Sequence, residues 1–238
     1  MENGLPGQPR WLDVAPARLP RWLESFADRH SGLAGDPEQG PGAVIFRAAD
    51  GAIAECHIPF PPLPSTAAVD RAGKEPGASA ARMAAHALAD RSVGVLLVRL
   101  GGYAAGVFTG PDQHLAASKV GSRLVHGRSA AGGQSQRRFA RRREKQANEA
   151  LGAAADTAAA VFGPYNGRLD AVVLGGDKRA MSGLADDPRL RPFLDLAVDR
   201  FLTVPDPRLA VLKGTPRMFT AIRIRLADPA TPNRPATP

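Results

Sequence analysis

The chain has 238 residues, 44% hydrophobic and 23% charged, which is typical of a globular protein with one large or two small domains. Its single cysteine, Cys56, excludes an intrachain disulfide and any zinc site built from cysteines. The formal net charge of +8 favours a polyanionic partner. The apolar runs are too short to span a membrane and the N-terminus lacks a secretory signal pattern, so we expect a cytoplasmic protein without a membrane partner.

The first forty residues are predicted to form an arm that packs on the rest of the protein. Within it, Leu19–His30 predicts an amphipathic helix, with Pro20 in the first turn and Phe26 on the apolar stripe. After a loop rich in glycine and proline, residues 43–58 predict two strands joined by the hairpin dipeptide Asp50-Gly51.

The middle of the chain predicts one helix and several strands. Residues 78–90 have the composition and spacing of a helix. The run VGVLLV at 93–98 is entirely apolar, which favours a central strand covered on both faces. Gly101-Gly102 separates this strand from the next, and residues 113–127 predict one or two more strands.

A long helix is predicted from about Ser135 to Phe162, with Ser135 as its N-cap. Its apolar stripe consists of Phe139, Ala147, Leu151, Ala154, Ala158 and Val161. A short buried strand is predicted within residues 166–177. The last strand is predicted over 217–226, where the alternation of side chains does not decide which face is buried.

Strands and helices mix along the chain without strict alternation, which predicts an α/β fold with a mixed sheet and flanking helices. We expect one domain over residues 41–227, preceded by the arm of residues 1–40. Residues 228–238 are rich in proline and are predicted to be a disordered tail. We expect a monomer without a metal ion or cofactor.

One segment carries all of the excess positive charge. Between positions 119 and 145 there are nine basic residues and one acidic residue, whereas the remaining chain has 22 of each sign. The basic residues are Lys119, Arg123, Arg128, Arg137, Arg138, Arg141, Arg142, Arg143 and Lys145. Confined positive charge is typical of a surface that binds nucleic acid, and arginine binds phosphate bidentately. A solvated basic face is the alternative interpretation.

Glycines and a glutamine lie in the middle of this segment. Gly132 and Gly133 precede the predicted helix, and their flexible backbone allows another molecule to approach closely. A helix N-terminus favours phosphate, but the GxxxxGK[ST] pattern is absent, which argues against ATP or GTP. Gln134 has no useful pKa, so its amide suits orienting a water or donating to a developing oxyanion.

The stretch HGRSAAGGQSQRRFARRRE, residues 126–144, closely resembles the GGQ motif of eukaryotic and archaeal class I translation release factors. Residues 126–128 match the start of that motif, 132–135 its catalytic tip, and 138–141, 143 and 144 its helix. Residues 129–131 are additional, and we expect no separate stop-codon-reading or C-terminal domain. Both departures make it similar to a bacterial branch of the Vms-like release factors, single-domain peptidyl-tRNA hydrolases linked to ribosome rescue and quality control.

The resemblance implies an RNase-H-like release-factor central domain and a codon-independent peptidyl-tRNA hydrolase acting on stalled ribosomes or large subunits. It implies that Gln134 positions water at the ester carbonyl, while Gly132 and Gly133 allow the loop to enter. The basic residues would bind ribosomal RNA or the acceptor end of the peptidyl-tRNA. Vms-like relatives have a looser G-x-x-Q motif, which Gly133 to Gln136 also satisfy, so Gln136 is the alternative catalytic residue.

Two other functions share part of this evidence. A non-catalytic factor that binds the ribosome or RNA would use the same arginines. A nuclease is suggested only by the RNase-H-like fold that the resemblance implies, and it would need clustered carboxylates to hold metal ions. Asp170 and Asp177 are the residues that such a reading would use.

Overall fold

The computed structural model describes residues 9–64, 75–99, 101–122 and 135–228, without the side chains of residues 135–143. The strands of this part are β1 (Arg10–Val14), β2 (Glu38–Gln39), β3 (Ala43–Arg47), β4 (Ile53–His57), β5 (Val93–Arg99), β6 (Gly102–Thr109), β7 (His114–Ser122), β8 (Ala171–Gly176), β9 (Ala197–Leu202) and β10 (Ile222–Ala227). The helices are α1 (Leu19–Arg29), α2 (Pro76–Ala87), α3 (Ser135–Phe162), α4 (Lys178–Ser182), α5 (Arg191–Leu194), α6 (Leu209–Gly214) and α7 (Pro216–Phe219).

The chain divides into two compact units. The first comprises Met1–Ala89 and Thr220–Pro238, and the second is the continuous segment Asp90–Phe219. The predicted boundaries at residues 40 and 227 do not coincide with these units. The difference arises because the segment after Phe219 pairs with strands from the beginning of the chain.

The first unit is an antiparallel sheet in the order β1-β10-β4-β3-β2. Helices α1 and α2 contribute apolar side chains such as Phe26 and Met83 to a core that also contains inward side chains of the sheet, such as Phe46 and Ile224. The predicted hairpin at Asp50-Gly51 and both predicted helices are present. Burial of such apolar surface is the main stabilising contribution to this unit.

Cys56 lies on β4 and is fully buried in this core. Burial, and secondarily the charge of Glu55, raises the pKa of the Cys56 thiol above its ordinary range. Since the thiolate is the reactive form, Cys56 acts as a small apolar core residue rather than a nucleophile.

The second unit contains the mixed sheet that the sequence predicts, in the order β7-β6-β5-β8-β9. Strand β5 pairs antiparallel with β6 and parallel with β8, and the run VGVLLV on it is buried throughout. The predicted central strand and the predicted fold class, a mixed sheet with flanking helices, are therefore confirmed. No helix in the described ranges is long and apolar enough to cross a membrane.

Two details differ from the prediction. The expectation of a single sheet is wrong, because two five-stranded sheets are present. The last strand begins at Ile222 rather than at residue 217, because Pro216 starts the short helix α7, in which the Phe219 N–H donates to the Thr215 carbonyl at 3.0 Å. In β10 the buried side chains are Ile222, Ile224 and Leu226, which settles the face that the alternation left open.

Candidate functional site

Helix α3 follows the glycine- and glutamine-containing segment directly, as predicted. It begins at Ser135, runs for 28 residues and is about 42 Å long. Ser135 is therefore the first helical residue rather than the preceding cap. The helix backbone places positions 137, 141 and 145 on one face and positions 138 and 142 on the neighbouring one.

The C-terminal half of α3 is packed on the second sheet. Its buried residues are Ala150, Ala154, Ala155, Thr157, Ala158, Val161 and Phe162. Most are small, so the helix backbone approaches β6 and β7 closely. The Phe162 ring contacts Phe193 with centroids 5.4 Å apart, and it lies close enough to Gly94 on β5 that an added Cβ would be 3.3 Å from it. The packing of this half therefore fixes the position of the helix on the second sheet.

The described residues of α3 that precede the packed half are not buried. None of the residues 144–149 is buried, and Lys145 is exposed over 79% of its side chain. The Lys145 ammonium lies 3.9 Å from Glu149, an exposed pair that contributes little stability. Ala147 was predicted to lie on the apolar stripe, but it is exposed, because none of the described elements covers this part of the helix. Leu151, Ala154, Ala158 and Val161 do contribute to the packed face.

Strand β7 leads from the sheet to the same segment. Among the described strands it pairs with β6 alone, at the edge of the sheet, and Lys119 on it is exposed. Near its end Gly121 lies against the Tyr103 ring, where an added Cβ would be 2.5 Å from a ring carbon. A larger residue at this position would require the Tyr103 side chain to move. Residues 123–134 thus connect two anchored elements, β7 and α3.

An ion-pair network holds the packed half of α3 to the segment before α5. The Arg189 guanidinium donates to Asp156 on α3 at 2.7 Å and forms two bonds to Asp187, at 3.0 and 2.7 Å. The hydrogen bond from Arg189 lowers the pKa of the Asp187 carboxyl. This network is not predictable from the sequence, because Arg189 and Asp156 are 33 positions apart and no local pattern links them.

The structure places only part of the predicted site. Gln134, Gly133, Gly132, Arg128 and Arg123 lie outside the described residues. The backbone of α3 includes Gln136, Arg137, Arg138, Arg141, Arg142 and Arg143, whose side chains are not described. Lys119 and Lys145 are described, and both are exposed on elements that flank residues 123–134.

The two carboxylates considered for a nuclease have structural partners instead. Asp170 accepts the backbone N–H of Ser92 at 2.7 Å, which joins the starts of β5 and β8. Asp177 caps α4 by accepting the N–H groups of Arg179 and Ala180. The described residues contain no group of three or more potential metal ligands. The nuclease reading therefore has no support from these side chains.

The family model of the actinobacterial and chloroflexal VLRF1 release factors, acVLRF1, matches residues 91–225, which is more than half of the chain. The chain belongs to this release factor family. Membership supports a release-factor-like role in translation. The match spans nearly all of the second unit and most of β10, and therefore includes α3 and the glutamine-containing segment before it.

Two solved structures are similar in fold to this family member. One is the Vms1 mitochondrial localization core, with 10% identity and a TM-score of 0.39, covering 87% of this chain and 80% of that one. The other is an archaeal translation termination factor, aRF1, with 13% identity and a TM-score of 0.38, covering 88% of this chain. This chain spans 66% of the archaeal factor's length. No curated protein sequence matches the chain.

Proposed function

We propose that the protein is a codon-independent peptidyl-tRNA hydrolase that frees nascent chains from stalled ribosomes or large subunits in the cytoplasm. The observation that carries this proposal is the Gly132-Gly133-Gln134 tripeptide directly before helix α3 in a member of a release factor family. In this proposal Gln134 positions the water that attacks the ester carbonyl. A glutamine amide serves that role by donating and accepting hydrogen bonds without a change of protonation.

The two halves of α3 support this proposal. The packed half fixes the helix to the second sheet, whereas residues 144–149 are not buried. A segment at the exposed end of such a helix can enter a narrow site that the body of the protein cannot. In the proposed complex the arginines on the first turns of α3, together with Lys119 and Lys145, bind ribosomal RNA or the tRNA acceptor end, and the protein acts as a monomer.

The test uses stalled large-subunit complexes that carry a labelled peptidyl-tRNA. Wild-type protein is compared with Gln134→Ala and Gln136→Ala, and both release of the peptide and binding to the complex are measured. We expect Gln134→Ala to lower release by roughly 100- to 1,000-fold, the usual effect of removing one group that stabilises a transition state. Binding should be unchanged in both variants.

The two glutamines are matched controls because they are two positions apart. Loss of release only in Gln136→Ala would preserve the hydrolase and reassign the catalytic residue. Full release by Gln134→Ala and Gln136→Ala alike would contradict the catalytic role of either amide.

A non-catalytic ribosome-binding factor is the second candidate, because the basic residues of positions 119–145 serve it equally well. It is distinguished by wild-type protein that binds the stalled complex without releasing the peptide. Both candidates require binding that weakens steeply with salt, because each neutralised phosphate releases counterions.

A further inference from the structure

Two contacts between an aromatic ring and a glycine lie in the core beneath α3. The Phe162 ring lies against Gly94 of β5, where an added Cβ would be 3.3 Å from it. The Tyr103 ring lies against Gly121 of β7, where an added Cβ would be 2.5 Å from a ring carbon and 2.6 Å from the hydroxyl oxygen. Both rings belong to one buried cluster, which also contains Ala154 of α3.

The strand register shows that these contacts lie at opposite ends of the packed half of α3. Gly94 and Val98 are four positions apart on β5, and Val98 pairs with Tyr103 of β6. Four residues of a strand span about 13 Å, a length that a helix covers in about nine residues. Helix α3 ends at Phe162 beside the start of β5, so its preceding residues run towards Tyr103. Tyr103 therefore lies beneath residues 150–154, where the burial of α3 begins.

Tyr103 thus lies between the two elements that lead to the proposed hydrolytic segment. Strand β7 ends at Ser122, directly after Gly121, and α3 becomes buried at Ala150. Tyr103 is only 9% exposed, so the close packing of the core restricts the movement of its ring. A ring held in this place fixes the end of β7 relative to α3, and with it the separation of the elements that flank residues 123–134.

We propose that Tyr103 is a positioning residue for peptide release. Its ring holds the end of β7 at a fixed distance from α3, so the segment that carries Gln134 leaves the second unit from a fixed position. This inference rests on the proposed hydrolase function, but the geometry that it requires can be measured without peptide release. Tyr103 acts through the main chain, so its loss should lower the rate of the bound complex and not the affinity for it.

The first measurement is release from the stalled large-subunit complex by Tyr103→Leu and Tyr103→Phe. Tyr103→Leu should lower the release rate at saturating protein by about 10- to 100-fold, because a misplacement of about 1 Å can cost that much. The protein concentration that gives half of the maximal rate should stay within about twofold of wild type, since binding is unchanged. Tyr103→Phe keeps the ring and should retain the wild-type rate.

Phe193→Leu is the matched control, because it removes a ring of the same cluster at the other end of the packed half. Phe193 contacts Phe162 with ring centroids 5.4 Å apart. Both leucine variants remove buried aromatic surface, so both should lower the melting temperature. Only Tyr103→Leu should lower the release rate. Equal losses of rate in the two variants would make Tyr103 an ordinary core residue and overturn the proposal.

A double variant tests the contact with Gly121. Gly121→Ala places a methyl group where the Tyr103 ring lies, so it should displace the ring or the end of β7 and lower the release rate. In the Tyr103→Leu background the same change should have little further effect, because leucine lacks the ring atoms that the methyl group meets. Losses that add independently would contradict a role for this contact.

A distance measurement tests the geometry without peptide release. Spin labels on Ser122→Cys and Asn148→Cys report the distance between the end of β7 and α3, because both positions are exposed. The buried thiol of Cys56 stays unlabelled. The distance distribution from pulsed electron paramagnetic resonance should broaden in Tyr103→Leu and remain narrow in Phe193→Leu.

The two kinds of measurement separate this inference from the proposed function. Wild-type protein that releases no peptide would contradict the hydrolase, and the distance distributions would then decide alone whether Tyr103 holds β7 to α3. A distribution that stays narrow in Tyr103→Leu would overturn the positioning role even where release is observed.

Discussion

The two parts of helix α3 have the same backbone but opposite surroundings. From Ala150 onwards one face is buried on the second sheet, whereas residues 144–149 have no buried member. The first part is rich in arginine and lysine, and the second in alanine. Tertiary packing accounts for most of the stability of a helix in a protein, so the exposed part depends on the packed part for its position. The helix thus has a C-terminal half that is packed on the sheet and an N-terminal half that is basic and exposed where it is described.

The largest effect is expected from removing the main aromatic contact of the packed part. Phe162→Ala should lower the free energy of unfolding by about 3–5 kcal/mol, because it leaves a cavity between α3, Phe193 and β5. Chemical denaturation of the purified variant measures this change. A loss below 1 kcal/mol would contradict the anchoring role of this half.

The same substitution in each part of α3 compares them directly. Ala154→Leu should lower the free energy of unfolding by about 1–3 kcal/mol, because Ala154 is completely buried and a larger side chain overpacks the interface. Ala147→Leu should change it by no more than about 0.5 kcal/mol, because Ala147 is exposed. Thermal unfolding of both variants measures the difference, and equal effects would show that the two parts are packed alike.

Removing positive charge from the N-terminal half of α3 should weaken RNA binding and leave the stability of the fold unchanged. The double variant Arg141→Ala and Arg142→Ala should bind the stalled large subunit about tenfold or more weakly at physiological salt. If each arginine contacts one phosphate, the slope of log affinity against log salt should fall by about 1.4 to 1.8. An unchanged slope, with an unchanged melting temperature, would place these arginines away from RNA.

The smallest effect is expected from the surface network on the packed part. Arg189 lowers the pKa of Asp187 in the folded protein, so this pair stabilises the fold above the ordinary aspartate pKa of about 3.9. The stabilisation is lost as the pH falls through the lowered folded pKa. Arg189→Ala should therefore lower neutral stability slightly and reduce by the same small amount the fall in stability below about pH 4, measured by melting temperature against pH.

Features that depend on neighbouring residues were predictable from the sequence. The start of α3 at Ser135, the hairpin at Asp50-Gly51 and the buried strand β5 each follow from residues within a few positions of one another. The separate first sheet was not predictable, because Arg10 of β1 pairs with Leu226 of β10 and no local pattern links the two ends of the chain. The short helix α7 was not predicted because its local pattern is ambiguous: Met218 and Phe219 are compatible with a strand as well as with a helix.

The same distinction applies to the functional residues. The glycines, Gln134 and the arginines form one continuous segment, so composition and resemblance were sufficient to select them. Gln113 of a turn lies near Leu209 and Lys213 of a helix almost one hundred positions later, and only the fold brings them together. Arg189 and Asp156 are likewise distant in the sequence and are brought together only by the fold.

The position of β10 also has a consequence for synthesis of the protein. Strand β10 lies between β1 and β4, so the first sheet is incomplete until the segment after Phe219 has been translated. The second unit is continuous from Asp90 to Phe219 and needs no later segment. Because a growing chain folds as its segments emerge, the second unit, which contains α3, can fold first. Strand β1 cannot pair until β10, its only described neighbour, has been synthesised. A chain truncated before Ile222 would therefore retain the second unit but leave the first one open.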